Sequence, residues 1–268
     1  MTSSSNNSIK WNGSTFKEVR NRHSFAVIKK DGSVVAWGQT FPDAINKDTG
    51  GDMSKVESKL KSNVVQIFSD GGSFAALKDD GSVYSWGRAQ QYDNEIRAKN
   101  VVDISSTACA YAARTKSGGV IVWGWGNYGG DFHVFSYENP EDRLFKGGSW
   151  NYNPDTIGNK LSAGVIGITS TNQAFAALKD DGSVVTWGQA YMGGDSSLVA
   201  DQLKSDIKKL FSNDFAFAAL KTNGSVISWG QKEFYDTSVI DDSAVKGVVD
   251  IENIYANKTA FAGIKKDG

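Results

Sequence analysis

The chain has 268 residues, a formal charge of −1 at pH 7, 40% hydrophobic and 12% aromatic residues, 29 glycines and three prolines. That balance excludes a disordered chain and speaks against a nucleic-acid surface, which carries a strong basic excess. One cysteine cannot make an internal disulfide, and no stretch approaches the ~18 apolar residues of a membrane-spanning helix, so neither an oxidising compartment nor membrane insertion is implied.

The start, Met1 to Asn7, lacks the apolar run of a secretory signal. Cytoplasmic is therefore the default location, with signal-independent export as the alternative. From Phe25 the chain states a phrase that it repeats to its end. Phe25–Gly38 reads FAVIKKDGSVVAWG, and Phe74–Gly87 reads FAALKDDGSVYSWG. Tyr111–Gly124 (YAARTKSGGVIVWG) is a degenerate copy, followed by Phe175–Gly188 (FAALKDDGSVVTWG) and Phe217–Gly230 (FAALKTNGSVISWG). A sixth copy, FAGIKKDG, begins at Phe261. Repetition of one supersecondary unit at periods of tens of residues signals a solenoid, propeller or array.

Each copy reads as a β-hairpin: an apolar strand, an Asp-Gly or Asn-Gly turn expected to be type I′, and a return strand rich in Val, Ile, Tyr and Trp. A further apolar stretch precedes each hairpin, at 64–68, 101–104, 165–168 and 207–211, giving at least three strands per unit. Strands built almost wholly of Ala, Val, Leu and Phe need cover on both faces. Blades stacked around an axis provide it. The paired alanines suit close approach of neighbouring sheets, and the Phe and Trp of each copy fill the wedge between them.

The expected fold is therefore all-β, a closed β-propeller of six blades in a single domain. Its repeat units fall at about 16–63, 64–100, 101–163, 164–206, 207–247 and 248–268 plus 1–15. The segment NNSIKWNG at 6–13 can be set against the return strand, with Trp11 in the repeat Trp position, so the N-terminal strand is expected to complete the last blade. Closure of that kind removes open sheet edges. The long step from Trp123 to Trp187 contains an insertion, 126–163. It allows a seventh, decayed blade, with strands at His133–Tyr137 and Arg143–Lys146.

The phrase His23-Ser24-Phe25-Ala26 through Asp31-Gly32-Ser33-Val34 to Trp37-Gly38 resembles the repeat of the RCC1-like (regulator of chromosome condensation type) β-propellers, and the other copies match from Phe to Gly. The resemblance covers nearly the whole chain. It departs in two places. The family histidine occurs once, as His23, where other copies carry Gly72, Cys109, Gln173, Phe215 and Thr259. The Gly-Gln-Leu-Gly expected after Trp-Gly is replaced by Gly-Gly-Asp or Tyr-Asp. Divergent repeats of this kind look similar to repeats in bacterial proteins of binding or unknown role.

Catalytic chemistry finds little purchase in a chain with two histidines and one cysteine. Cys109 reads as a small structural residue. His133 has no second histidine or cysteine near it in sequence to form a metal set, and no cofactor is implied. An aspartate recurs after the repeat tryptophans, as Asp93, Asp131, Asp195 and Asp236, with Asp52 after a longer loop. These could form a partial acidic ring on one face, or could simply cap short helices such as 52–57 and 195–203. The lysines before each turn (Lys29, Lys78, Lys179, Lys221, Lys265), with Asp31, Asp80 and Asp181, read as solvated surface. Trp125 and Trp150 lie outside the repeat slot and bracket the aromatic-rich insertion, either packing it down or recognising a partner.

These observations point to a non-enzymatic binding or protein-interaction module working through one loop face, with Trp125, Tyr128, Asp131 and Trp150 as anchors and Asp52, Asp195 and Asp236 lining the same face. The alternative is a carbohydrate-binding propeller in which aromatic faces stack on sugars. A third reading, guanine-nucleotide exchange on a small GTPase, is implied by the resemblance alone. A protein or glycan partner is expected, without nucleic acid or membrane insertion.

Overall fold

The chain's structure is a computed structural model that describes residues 8–11, 14–39, 50–88, 95–96, 99–131, 134–135, 157–231 and 247–268. Among these residues the strands form six sheets in chain order. The first holds β1 (Ser8–Trp11), β2 (Ser14–Arg20), β3 (Ser24–Ile28) and β4 (Val34–Gly38). The second holds β5 (Val64–Ser69), β6 (Ser73–Lys78), β7 (Val83–Gly87) and β8 (Glu95–Ile96), and the third β9 (Val101–Ser106), β10 (Ala110–Thr115) and β11 (Val120–Gly124). The fourth joins β12 (Val134–Phe135) to β13 (Val165–Ser170), β14 (Ala174–Lys179) and β15 (Val184–Gln189). The fifth is β16 (Ile207–Ser212), β17 (Ala216–Lys221) and β18 (Val226–Gly230), and the sixth pairs β19 (Ile251–Ala256) with β20 (Phe261–Lys265). All pairings are antiparallel except that of β12 with β15.

Consecutive sheets pack face to face, as propeller blades do. Five hydrophobic clusters fill the junctions, each drawn from two neighbouring sheets. The alanine pairs explain how both faces are served at once. Ala75 packs toward the third sheet and Ala76 toward the first, and neither exposes any surface. Successive strand residues point to opposite faces, so two small neighbours let two sheets approach.

The leading aromatic and the Trp of each of the five complete copies are cross-strand partners. Phe74 and Trp86 lie 5.3 Å apart between ring centroids, Phe175 and Trp187 5.2 Å, and Phe217 and Trp229 5.3 Å. Each pair is clamped by the preceding sheet. Trp86 Nε1 donates to the Gly50 carbonyl at 3.0 Å, Trp187 Nε1 to Gly129 at 3.1 Å and Trp229 Nε1 to Gly193 at 3.0 Å. Those glycines hold φ of +91°, +88° and +93°. Their α-carbons lie against the phenylalanine ring, where a Cβ would collide. The Gly-Gly-Asp after the repeat Trp-Gly thus serves as a junction device.

Two further sets of bonds couple the blades. The turn glycines Gly32, Gly81, Gly118, Gly182 and Gly224 accept from the first residue of the next sheet's leading strand, Val64, Val101, Val165, Ile207 and Ile251. The repeat lysines reach back to the connecting segments. Lys78 Nζ donates to the Lys59 carbonyl, Lys179 to Lys160 and Lys221 to Gln202, at 3.0–3.3 Å. These lysines, expected to be plain surface, tie down the helical connectors.

Three expectations are corrected. The hairpin turn is not type I′, because only its glycine has positive φ. Lys29 N donates to the Ser33 carbonyl and Gly32 N to the Lys29 carbonyl, a type I turn followed by a left-handed glycine. The reason is Asp31, whose Oδ1 accepts from Ser33 N (2.9 Å) and Ser33 Oγ (2.6 Å) and so holds the longer loop. Asp80, Asp181 and Asn223 repeat it. Secondly, β1 does not complete the sixth blade. It pairs with β2, Trp11 opposite Ser14, and the sequence between them, Asn-Gly, is the dipeptide with the strongest hairpin preference. Thirdly, the strand within His133–Tyr137 adds to the fourth sheet beside β15 and does not found a seventh blade. Arg143–Lys146 lies outside the described residues. No helix among the described residues is long and apolar enough to cross a membrane.

Candidate ligand-binding face

Antiparallel order puts two loops of every blade at one end: the one between first and second strands, and the one leaving Trp-Gly. The first is built on a slot four residues before the repeat aromatic. Asn21, Asp70, Thr171, Asn213 and Asn257 each accept from the backbone N–H groups two and three residues on. Asn, Asp and Thr share this ability, so the slot varies in identity and is hard to see in the sequence. The loops also bond blade to blade: Gly71 N to the Ala108 carbonyl, Ala108 N to Asn172, Asn172 N to Asp214 and Asp214 N to Lys258.

The second loop places the residue after Trp-Gly beside this rim. Gln39, Arg88, Trp125, Gln189 and Gln231 donate their backbone N–H to the carbonyls of His23, Gly72, Cys109, Gln173 and Phe215. This pairs the slot that varies most in the repeat with a second variable one. Gln189 and Gln231 are buried. Arg88 is exposed and Trp125 half-buried, so the chain breaks its own pattern in the second and third blades. Arg88's guanidinium lies 4.8 Å from the Trp125 ring centroid, and Tyr128 meets Trp125 edge-on at 6.2 Å and 80°. The Arg88 stem passes over Gly72, where a side chain would crowd it.

Charge around this sector is mixed. Cys109 feels Asp70, Arg88 and Arg22, and burial foremost pushes its thiol up to about 11, so it stays protonated and poorly nucleophilic. Asp70 is buried, and desolvation raises its carboxyl to about 6 against the pull of the Gly72 and Ser73 hydrogen bonds and of Arg88. Its Oδ2 accepts from Ser73 Oγ at 2.8 Å, and Ser73 Oγ lies 3.1 Å from the Tyr111 hydroxyl. The Tyr that replaces Phe in the degenerate copy therefore has a polar partner in the preceding blade.

Asp70 carries a stability consequence. Its folded pKa lies above the ordinary 3.8, so the folded state binds the proton more tightly, and stability falls as pH rises from about 4 through about 6. Asp70→Asn, which puts in this slot the residue that three other blades use, is expected to be more stable than the wild type by about 3 kcal/mol above pH 6. The two should converge near pH 4. Urea unfolding across pH 4–8 checks this, and a constant difference between the proteins would disprove the assignment.

The structure brings Trp125 and Tyr128 together, with Asp131 three residues on in the same loop. Asp52 and Asp195 sit in the equivalent loops of the first and fourth blades and act locally. Their Oδ1 atoms accept from Ser54 N and Ser197 N, each at 2.8 Å. Among the described residues no three His, Cys, Asp or Glu side chains converge as a metal set. Asp52 and Asp195 thus hold local turns rather than the expected caps: the 3-10 helices Glu57–Lys59 and Ser197–Leu203 begin after Val56 and Ser196 with no side-chain cap bond. Trp150, Asp236, Asp93 and His133 lie outside the described residues. Sequence reasoning missed Arg88 because no motif contains it; its signal is that three sibling blades carry Gln in its place.

No family model matches the chain, and no curated protein matches it. Solved structures similar to it include Prp20p from Saccharomyces cerevisiae (17% identity, 89% of this chain, 66% of that chain, TM-score 0.49). The CRINKLY WD40 ectodomain of the Arabidopsis thaliana receptor kinase ACR4 is another (12%, 92% and 73%, TM-score 0.46). Human WBSCR16 is a third (16%, 81% and 62%, TM-score 0.44).

Proposed function

We propose that the chain is a non-catalytic interaction module of RCC1-like propeller type, binding a protein segment at the rim sector formed by Arg22, Arg88, Trp125 and Tyr128. The supporting observation is the exposed Arg88 guanidinium stacked on Trp125, at a slot filled in two sibling blades by buried glutamine. Arginine beside aromatic rings is the composition of binding hot spots. With Arg22 nearby and exposed, the sector suits an acidic peptide or a protein loop carrying carboxylates. A sugar ring is the poorer fit, because Arg88 already occupies a face of the indole.

The test is binding of the wild type, Arg88→Gln and Trp125→Gln to an acidic-peptide array and a glycan array. Capture of acidic peptides that weakens at least about tenfold in either variant supports the reading. Glycan binding in place of peptide binding, or capture indifferent to both substitutions, overturns it.

A further inference from the structure

The loop between the first two strands of the second blade reads Gly71-Gly72, where the others carry Arg22-His23, Ala108-Cys109, Asn172-Gln173, Asp214-Phe215 and Lys258-Thr259. Neither glycine has a positive φ, so backbone freedom does not call for them. The bond from Gly71 to the next blade does not need glycine either, since Ala108 and Asn172 make the same one. What the pair supplies is a strip of loop without side chains, and an arginine lies along each half of it. A Cβ on Gly71 would stand 4.0 Å from Arg22 Nε, and one on Gly72 would stand 3.3 Å from Arg88 Cβ and Cδ. Two exposed arginines, carried by the first and second blades, therefore meet over one bare dipeptide, and the charge of both reaches the Cys109 thiol.

The protein leaves this charge without a partner of its own. Asp70, the residue before the strip, attracts Arg88 through space but is turned inward. Its oxygens accept from Gly72 N at 2.7 Å, Ser73 N at 2.6 Å and Ser73 Oγ at 2.8 Å. Among the described residues neither guanidinium has a hydrogen bond or an ion pair. Arg88 rests a face on the Trp125 ring at 4.8 Å, which orients its plane and leaves its edge N–H donors for a ligand.

We propose that the group held over Gly71-Gly72 is a phosphoryl group on a side chain of the bound protein segment, clamped by Arg88 and Arg22; this rests on the interaction reading above. Charge and donor number select it over a carboxylate. One carboxylate carries a single charge and fills one guanidinium fork. A phosphorylated serine carries about two negative charges at pH 7 and three acceptor oxygens, enough to engage both forks at once. Arginine clusters recur wherever phosphorylated motifs are read. Trp125 and Tyr128, packed edge to face beside the strip, offer the flanking residues of a peptide an apolar surface that free phosphate would not use.

The test is fluorescence anisotropy of the full chain with three peptide libraries that differ only at the central residue, phosphoserine, glutamate or serine, at one ionic strength. The phosphoserine library should bind at least about tenfold more tightly than the glutamate library, the worth of one further charge-assisted hydrogen bond. Arg22→Gln, at an exposed position, should bring that ratio close to one. Lys258→Gln removes the same charge from the equivalent loop position of the sixth sheet and should keep the ratio. Equal affinity of the wild type for the phosphoserine and glutamate libraries overturns the phosphoryl assignment and leaves the interaction reading standing. Binding of none of the three overturns both. A preference that survives Arg22→Gln, or that falls as far in Lys258→Gln, overturns the two-arginine site.

Discussion

Trp187→Ala is expected to destabilise the protein by about 4 kcal/mol, and Trp37→Ala, in the same repeat slot, by under about 1.5 kcal/mol. Trp187 exposes no surface, stacks on Phe175 and donates its indole N–H to Gly129 of the preceding blade. Truncation removes the transfer energy of a large ring, leaves a cavity at the junction and orphans a buried carbonyl. Trp37 stacks on Phe25 at 5.7 Å, yet no blade covers it among the described residues, so water already reaches nearly half of its surface. Thermal unfolding should separate the pair by roughly 5 °C in a chain of this size. Equal losses would mean that the slot gains its stability within the hairpin, and that the junctions contribute little.

Gly193→Ala should cost about 3 kcal/mol or more, because two penalties add. The residue holds φ of +93°, and an added Cβ would sit 2.5 Å from Phe217 Cδ2, a ring locked between two sheets. Relief would need the Gly193 carbonyl to leave Trp229 Nε1. Gly167→Ala is the control. It has negative φ and nothing within 4 Å of an added Cβ, so it should be neutral or stabilise by about 0.5 kcal/mol through the unfolded chain. Chemical denaturation of both variants measures the contrast, and a neutral Gly193→Ala would show that the clamp is slack.

Much of the fold was legible because it lives in residue identity. Two adjacent alanines can only mean that both faces of a strand are crowded, and a Phe or Tyr opposite a Trp in each of the five complete copies announces a stacked pair. What escaped lies in backbone geometry and in residues that substitute for one another. Asp31-Gly32 suggests a two-residue turn until the Ser33 bond to the Asp31 side chain lengthens it. The capping slot of Asn21, Asp70, Thr171 and Asn213 has no single letter to repeat. The Lys78, Lys179 and Lys221 contacts reach back across a junction to unrelated residues, which no local pattern records. At the rim, the recurring aspartates drew attention because they recur, but recurrence here marks scaffold, as the local turn bonds from Ser54 N to Asp52 and from Ser197 N to Asp195 show. Arg88 and Trp125 stand out for the opposite reason, as departures from Gln39, Gln189 and Gln231.

Repeat identities hold the blades together, and in the function proposed above departures at the rim recognise the partner. The double variant Arg88→Gln/Trp125→Gln tests this directly, since it restores at both positions the residue of the sibling blades. Its melting temperature and its capture of the acidic peptides that the wild type binds should be measured on the same preparation. The expected result is an unfolding transition within a few degrees of the wild type, because Arg88 is exposed and Trp125 only half-buried at the rim and neither fills a blade junction, together with loss of peptide capture. Undiminished capture, or a destabilisation matching that of Trp187→Ala, would contradict it.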